Sequence, residues 1–142
     1  MMKNKKRHWF WNILILLTLV VVLVAFVTHY KNWTKIEANE VKILSGIYYV
    51  KLNFSDIDDV TMVPKIPAME RINGFSVKET EKGVFKDSIS GNKAYVYVDK
   101  LSSSKIRVSY QDSLRLYLNF TDSTKTASYF QLFQEKLINS KK

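Results

Sequence analysis

A membrane-spanning helix followed by a mainly-β domain, closed at its end by one amphipathic helix, is the architecture this sequence predicts. Three observations carry it. Residues 9–30, WFWNILILLTLVVVLVAFVTHY, hold no charge between Phe10 and Val27. From Trp33 onward the apolar period changes to two and recurs in short runs between turn residues. After Asp122 the period changes again, with Ala127, Phe130, Phe133 and Leu137 on one helical face.

The uncharged run makes a helix of about 27 Å, close to the thickness of a bilayer's hydrocarbon core. A helix buried in a soluble core would carry a polar stripe, and here only Asn12 and Thr18 are polar. Each apolar residue near the helix centre favours insertion by about 0.3–0.6 kcal/mol, which sums to several kcal/mol. Trp9, Phe10 and Trp11 at one end, and Tyr30 and Trp33 at the other, stand where interfacial aromatic belts form. A cleavable signal peptide is the competing reading, because Lys3, Lys5, Lys6 and Arg7 make a suitable charged start. Such leaders have apolar cores of only about 7–15 residues, and Thr28-His29-Tyr30-Lys31 is no small-x-small cleavage site. The run therefore reads as an uncleaved anchor over 9–30 behind a basic tail over 1–8. Four cations precede it, while only Lys31 and Lys35 follow closely. That bias predicts a single-pass protein of the cell membrane, with the tail cytoplasmic and the domain extracytoplasmic.

The formal net charge is +9, but residues 1–31 alone contribute +5 without any acid. The remaining +4 is spread thinly, whereas a nucleic-acid surface needs a concentrated patch, so no nucleic-acid partner is expected. No cysteine is present, which removes disulfides and thiol chemistry. About one domain's worth of chain follows the anchor, enough for a single core.

Residues 31–40 read as a linker or the start of the first strand, and 41–142 as the domain. Val41 and Ile43 alternate with Glu40 and Lys42, Ser45-Gly46 breaks the run, and Tyr48, Val50, Leu52 and Phe54 follow on one face; this is a hairpin. Ser55 caps a short turn before a third strand, Val60–Val63, which Pro64 ends. Residues 64–82 hold both prolines and Asn73-Gly74, a turn dipeptide, and read as a long irregular connection. Gly83-Val84-Phe85 restarts extended structure. Ala94–Val98, Ile106–Tyr110 and Leu114–Phe120 follow as strands, and their short links predict antiparallel neighbours. Thr121 or Asp122 caps the final helix, about 122–139, whose apolar face suits the open end of a small barrel.

From Val41 to the end the chain resembles the bacterial pleckstrin-homology (PH) domain-like families. The residues that carry the resemblance are Ser55-Asp56-Ile57 after the hairpin, Pro67, Arg71, Asn73-Gly74-Phe75, Gly83-Val84-Phe85 and the G-x-x-x-x-Y-V element at Gly91–Val96. The resemblance implies about seven antiparallel strands in two near-orthogonal sheets, closed as a barrel and capped by the C-terminal helix. It also implies an interaction scaffold more than an enzyme, often beside membrane helices. Phosphoinositide-binding members carry basic residues around the first hairpin turn. Here that turn, Leu44-Ser45-Gly46-Ile47, has no charge, which argues against head-group binding by that route.

Chemistry-bearing residues are few. Both histidines, His8 and His29, flank the anchor, so no His-based metal site or Ser-His-Asp triad is expected in the domain. Four glycines leave no phosphate loop, and neither catalytic residues nor a cofactor is expected. Asp56, Asp58 and Asp59 cluster without an EF-hand's spacing and read as a solvated turn. The candidate interaction loop is Pro67, Arg71, Asn73, Gly74 and Phe75. Its bland alternative pairs Arg71 with a nearby carboxylate, turns the chain at Gly74 and plugs the barrel with Phe75. The expected function is a membrane-displayed interaction module that binds a protein partner or a second copy of itself. A lipid head-group or small-ligand module at the membrane surface is the alternative.

Overall fold

The computed structural model describes residues 5–142, and their side chains except those of 5–7, 29 and 30. The flanking side chains of Lys5, Lys6, Arg7 and Tyr30 therefore lie outside the described residues. Helix α1 spans Lys5–Tyr30. Its His8–Thr28 stretch is long and apolar enough to cross a membrane, and none of it is buried against the rest of the chain.

One bend residue, Lys31, separates α1 from the first strand. Strands β1 (Asn32–Ile36), β2 (Glu40–Ser45) and β3 (Tyr48–Asn53) form an antiparallel three-stranded sheet. A 3-10 turn at Phe54–Asp56 leads into β4 (Ile57–Val63). Then come β5 (Met69–Val77), β6 (Thr80–Asp87), β7 (Lys93–Val98), β8 (Lys105–Tyr110), β9 (Leu114–Asn119) and helix α2 (Ser123–Ser140). The second sheet has six strands in the order β4-β8-β9-β7-β6-β5.

The expectation of about seven antiparallel strands closed as a barrel is corrected in three ways. Nine strands form among the described residues, because Asn32–Ile36 is a strand of its own where a linker or the start of the first strand was expected, and Met69–Val77 is a strand where an irregular connection was expected. The two sheets stay open. One pair, β7 with β9, is parallel. Chain 99–104 does not fold β8 back beside β7. It leaves a gap one strand wide, and β9 returns from its hairpin with β8 to fill that gap. Two strand spacings are about 10 Å, within the reach of a six-residue link. Asn119, at the end of β9, lies under that link and satisfies its backbone. Its Oδ1 accepts from the N–H groups of Asp99 (2.9 Å) and Lys100 (3.1 Å), and its Nδ2 donates to the carbonyl of Lys100 (2.7 Å).

Alternate residues of β7 and β9 face two separate cores. Tyr97, Leu116 and Leu118 join Val41, Ile43, Val50 and Leu52 between the two sheets. Ala94, Val96, Val98 and Tyr117 join Phe85 on the opposite face, packed against Val63 at the end of β4, Ile66 in the β4–β5 connection and Met69 at the start of β5. Strands buried on both faces are the usual setting of parallel pairing. Helix α2 starts at Asp122, whose carboxylate accepts from the Thr124 N–H at 2.9 Å. It lies against β4 and the 3-10 turn, and its fully buried Phe133 packs against Phe54 and Tyr129. The Tyr129 hydroxyl also meets that of Thr34 on β1.

Candidate functional site

The five residues expected in an interaction loop lie, apart from Pro67, in strand β5. Strand β5 is the last of the six-stranded sheet, and among the described residues its one strand neighbour is β6. The register slips between Arg71 and Asn73, leaving Ile72 as an exposed extra residue. Arg71 sits 3.8 Å from Glu81 across the pair and 5.8 Å from the centre of the Phe85 ring. Asn73 Oδ1 accepts from the Tyr48 hydroxyl of β3 at 3.0 Å, tying the edges of the two sheets together. Phe75 is half-buried.

Asn73-Gly74 is not a turn. Gly74 lies opposite Gly83 in the β5–β6 ladder, and the turn comes at Lys78-Glu79, with Lys78 at φ 53°. Glycine is required here by approach as well as by turning. A β-carbon on Gly74 would stand 2.4 Å from the Lys82 carbonyl oxygen, and one on Gly83 would stand 2.2 Å from that of Asn73.

Pro67 lines a cleft of about 370 Å³ beneath the β4–β5 connection, with Lys65, Arg107, Arg115, Asp87 and Tyr117. Its two arginines are already engaged: Arg115 lies 3.4 Å from Asp87, and Arg107 3.7 Å from Asp59. Buried Lys105 on β8 holds the connection in place, donating to the Pro64 carbonyl at 2.9 Å and to the Leu101 carbonyl. Asp56 and Asp58 are also engaged. Asp56 accepts from Gln111 Nε2 and Asn53 Nδ2, both at 3.1 Å, and Asp58 accepts from the Asp112 N–H at 2.8 Å. Among the described residues no group of three His, Cys, Asp or Glu is arranged to hold a metal.

A polar node buried where the domain meets α1 has no counterpart in the sequence reading. Asn32, Ser45, Thr80, Lys82, Asp99 and Asn119 are all buried there. Lys82 Nζ stands 3.0 Å from Asp99 Oδ1, and the two side chains are 0% and 3% exposed. Burial pulls the Lys82 ammonium below the usual lysine value, with Asp99 offsetting part of that. Asn32 knits the node to β2, β6, β7 and β9. Its Nδ2 donates to the carbonyls of Tyr97 (2.7 Å) and Asn119 (2.8 Å), and its N–H donates to Asp99 Oδ2 (3.3 Å). Its Oδ1 accepts from Lys82 Nζ (3.1 Å) and from the Ser45 hydroxyl. The second residue after α1 is thereby fixed to the domain core.

On the outer face of the three-stranded sheet, Lys35, Lys42 and Lys51 lie side by side in register. Two carboxylates interleave them. Glu37 stands 3.1 Å from Lys35 and 2.9 Å from Lys42; Glu40 stands 3.1 Å from Lys42 and 2.9 Å from Lys51. Hydrogen bonds from Lys42 and Lys35 lower the Glu37 carboxyl from 4.5 to about 2. A carboxyl lowered on folding stabilises fully above 4.5, and that contribution is lost as pH falls towards 2. Glu37→Gln should therefore flatten the acid limb of stability between those pH values. Denaturant titrations of both proteins across that window check this, and superimposed acid limbs would show that the ladder adds nothing.

No protein-family model matches the chain, and neither the curated proteins nor the solved structures include one similar to it.

Proposed function

We propose that the chain is a single-pass membrane protein whose β domain is an interaction module, binding an extended segment of a protein partner or of a second copy. In this reading α1 is the anchor, the basic tail is cytoplasmic and the domain is extracytoplasmic. The observation that supports it is β5. At nine residues it is the longest strand among the described residues, and it ends its sheet with β6 as its one strand neighbour there, while α2 lies against β4 at the opposite end of the sheet. Such an edge offers a row of N–H and C=O groups to an incoming strand. Exposed Ile72 and Val77 give that strand apolar contacts. Kinship with the PH-like families is part of the proposal, resting on two β-sheets with a C-terminal helix. The parallel β7–β9 pair and the open sheets depart from that pattern. Catalysis has no place in the reading, since both histidines flank the anchor.

The test is a photoreactive residue at Ile72 in the full chain, irradiated in native membranes. Adducts that include the β5 edge, and that disappear with Val77→Lys, are expected. A photoreactive residue at Ile89, exposed in the β6–β7 loop, should give none. Monomer alone at Ile72 would end the proposal.

A further inference from the structure

The hairpin between β2 and β3 stands beside the end of α1, and its surroundings are unusual for a water-facing surface. Asn32 pairs with Ser45 in the β1–β2 register, so the tip at Gly46-Ile47 reaches back about one residue further, level with Lys31. Helix α1 and strand β2 are in contact. One register step above the Asn32 row, Trp33, Leu44 and Tyr49 lie side by side across the three strands. All face outward: Trp33 is 52% exposed, Leu44 39% and Tyr49 54%, with Ile47 at the tip 70% exposed. They line a shallow groove of about 190 Å³ with the stems of Lys35 and Lys42. Two residues higher, about 7 Å away, the face becomes the Lys–Glu ladder. From tip to ladder the face thus runs apolar, aromatic, then charged.

We infer that this end of the three-stranded sheet sits in the interface of the bilayer that α1 spans, with Ile47 deepest and Trp33, Leu44 and Tyr49 at head-group level. The inference rests on the anchor reading of α1. The occupant is the lipid surface for three reasons. With one bend residue between helix and strand, Trp33 cannot be more than about 10 Å from the end of α1. The Asn32 contacts to Asp99, Tyr97 and Asn119 remove the slack by which the domain could swing away. The order of side chains also matches the gradient from acyl chains to water, with aromatic rings at the boundary. The ladder's two carboxylates bridge its three ammoniums and offset all but one of their charges, so the contact is mainly apolar and needs no anionic lipid.

The chain has no cysteine, so single thiols can be placed at will in the full protein. Ile47→Cys, Ile89→Cys and Val22→Cys each replace an exposed side chain. Ile89 follows β6 at the opposite end of that strand from Thr80, hence at the far end of the domain from the node. Each variant would carry an environment-sensitive fluorophore in phosphatidylcholine vesicles, with and without brominated acyl chains. Expected are at least twofold quenching by bromolipid at 22 and 47 and none at 89. Quenching at 22 with 47 behaving like 89 would overturn the inference and leave the anchor intact. No quenching at 22 would overturn both. Quenching at 47 only in vesicles containing anionic lipid would also overturn it, because attraction to head-groups would then hold the tip. Leu44→Ser with Tyr49→Ser should reduce quenching at 47 without changing it at 22.

Discussion

Asp99→Ala is expected to destabilise the folded domain by about 3–5 kcal/mol, the usual cost of stripping the partner from a buried charge. Lys82 has no exposed side-chain surface, and its ammonium cannot turn to water when the carboxylate is removed. The same change takes the acceptor from the Asn32 N–H, so the first residue of β1 loses a tie to the core. Thermal and denaturant unfolding of the full chain in detergent, followed through the β signal in circular dichroism, gives the number. A cost under about 0.5 kcal/mol, typical of surface sites, would mean that the pair is not sealed from water. Lys82→Met with Asp99→Asn removes both charges and keeps an oxygen for Asn32, so it should recover most of the loss. The pH dependence has a definite sign. The Lys82 value is lowered on folding, so the unfolded chain binds more protons as pH approaches 10.5. Stability from this group therefore rises with pH in that range, and the penalty in Asp99→Ala should shrink there.

Gly83→Ala should cost about 3 kcal/mol or more, because the obstruction is backbone and has no rotamer to move to. The added carbon would lie 2.2 Å from the Asn73 oxygen and 2.5 Å from the Gly74 Cα, at φ +151°. Gly91→Ala is the internal comparison. Its φ is +73°, but the nearest atom is the flexible Lys86 Cε at 3.7 Å, so only the backbone term of about 1 kcal/mol applies. Hydrogen exchange would locate the damage: β5 amides should lose protection in Gly83→Ala and keep it in Gly91→Ala. Equal melting temperatures for the two variants would mean that β5 and β6 do not approach this closely.

The elements with strong periodicity were legible. The apolar helix, the β2–β3 hairpin, β8, β9 and α2 all follow runs that one spacing explains. What escaped had a physical reason in each case. Asn73-Gly74 has turn chemistry, yet its glycine serves close approach to another glycine across the ladder. The cue was Gly83, a second glycine in the next run, which a hairpin places opposite Gly74. Ala94-Tyr95-Val96-Tyr97-Val98 is an almost unbroken apolar run, the mark of a strand buried on both faces. The short link to β8 predicts an antiparallel neighbour instead, and a link of that length does not reveal that β9 enters between the two. The polar node was illegible because Lys82, Asp99 and Asn119 carry the residue types of a solvated surface. Only the folded chain brings these three from separate strands and links to Asn32. The outward aromatic row was half legible. Trp33 was placed at the membrane by its distance from the helix, but Leu44 and Tyr49 join it only through the register.

The insertion of β9 also sets a timetable. Without it the large sheet falls into two unconnected ribbons, β4 with β8 and β5-β6-β7, and no other strand among the described residues bridges them. Its residues, Leu114–Asn119, come late in the chain. A growing polypeptide emerging amino end first therefore carries two ribbons with open inner edges until β9 itself has been made. Strand β9 folds onto β8 across a tight turn but reaches β7 only past the whole of β8, and the second, less local pairing is the slower one. The keystone of this sheet is the last of its strands to be made, and until it arrives the Asn119 side chain cannot fill the 99–104 link that waits for it.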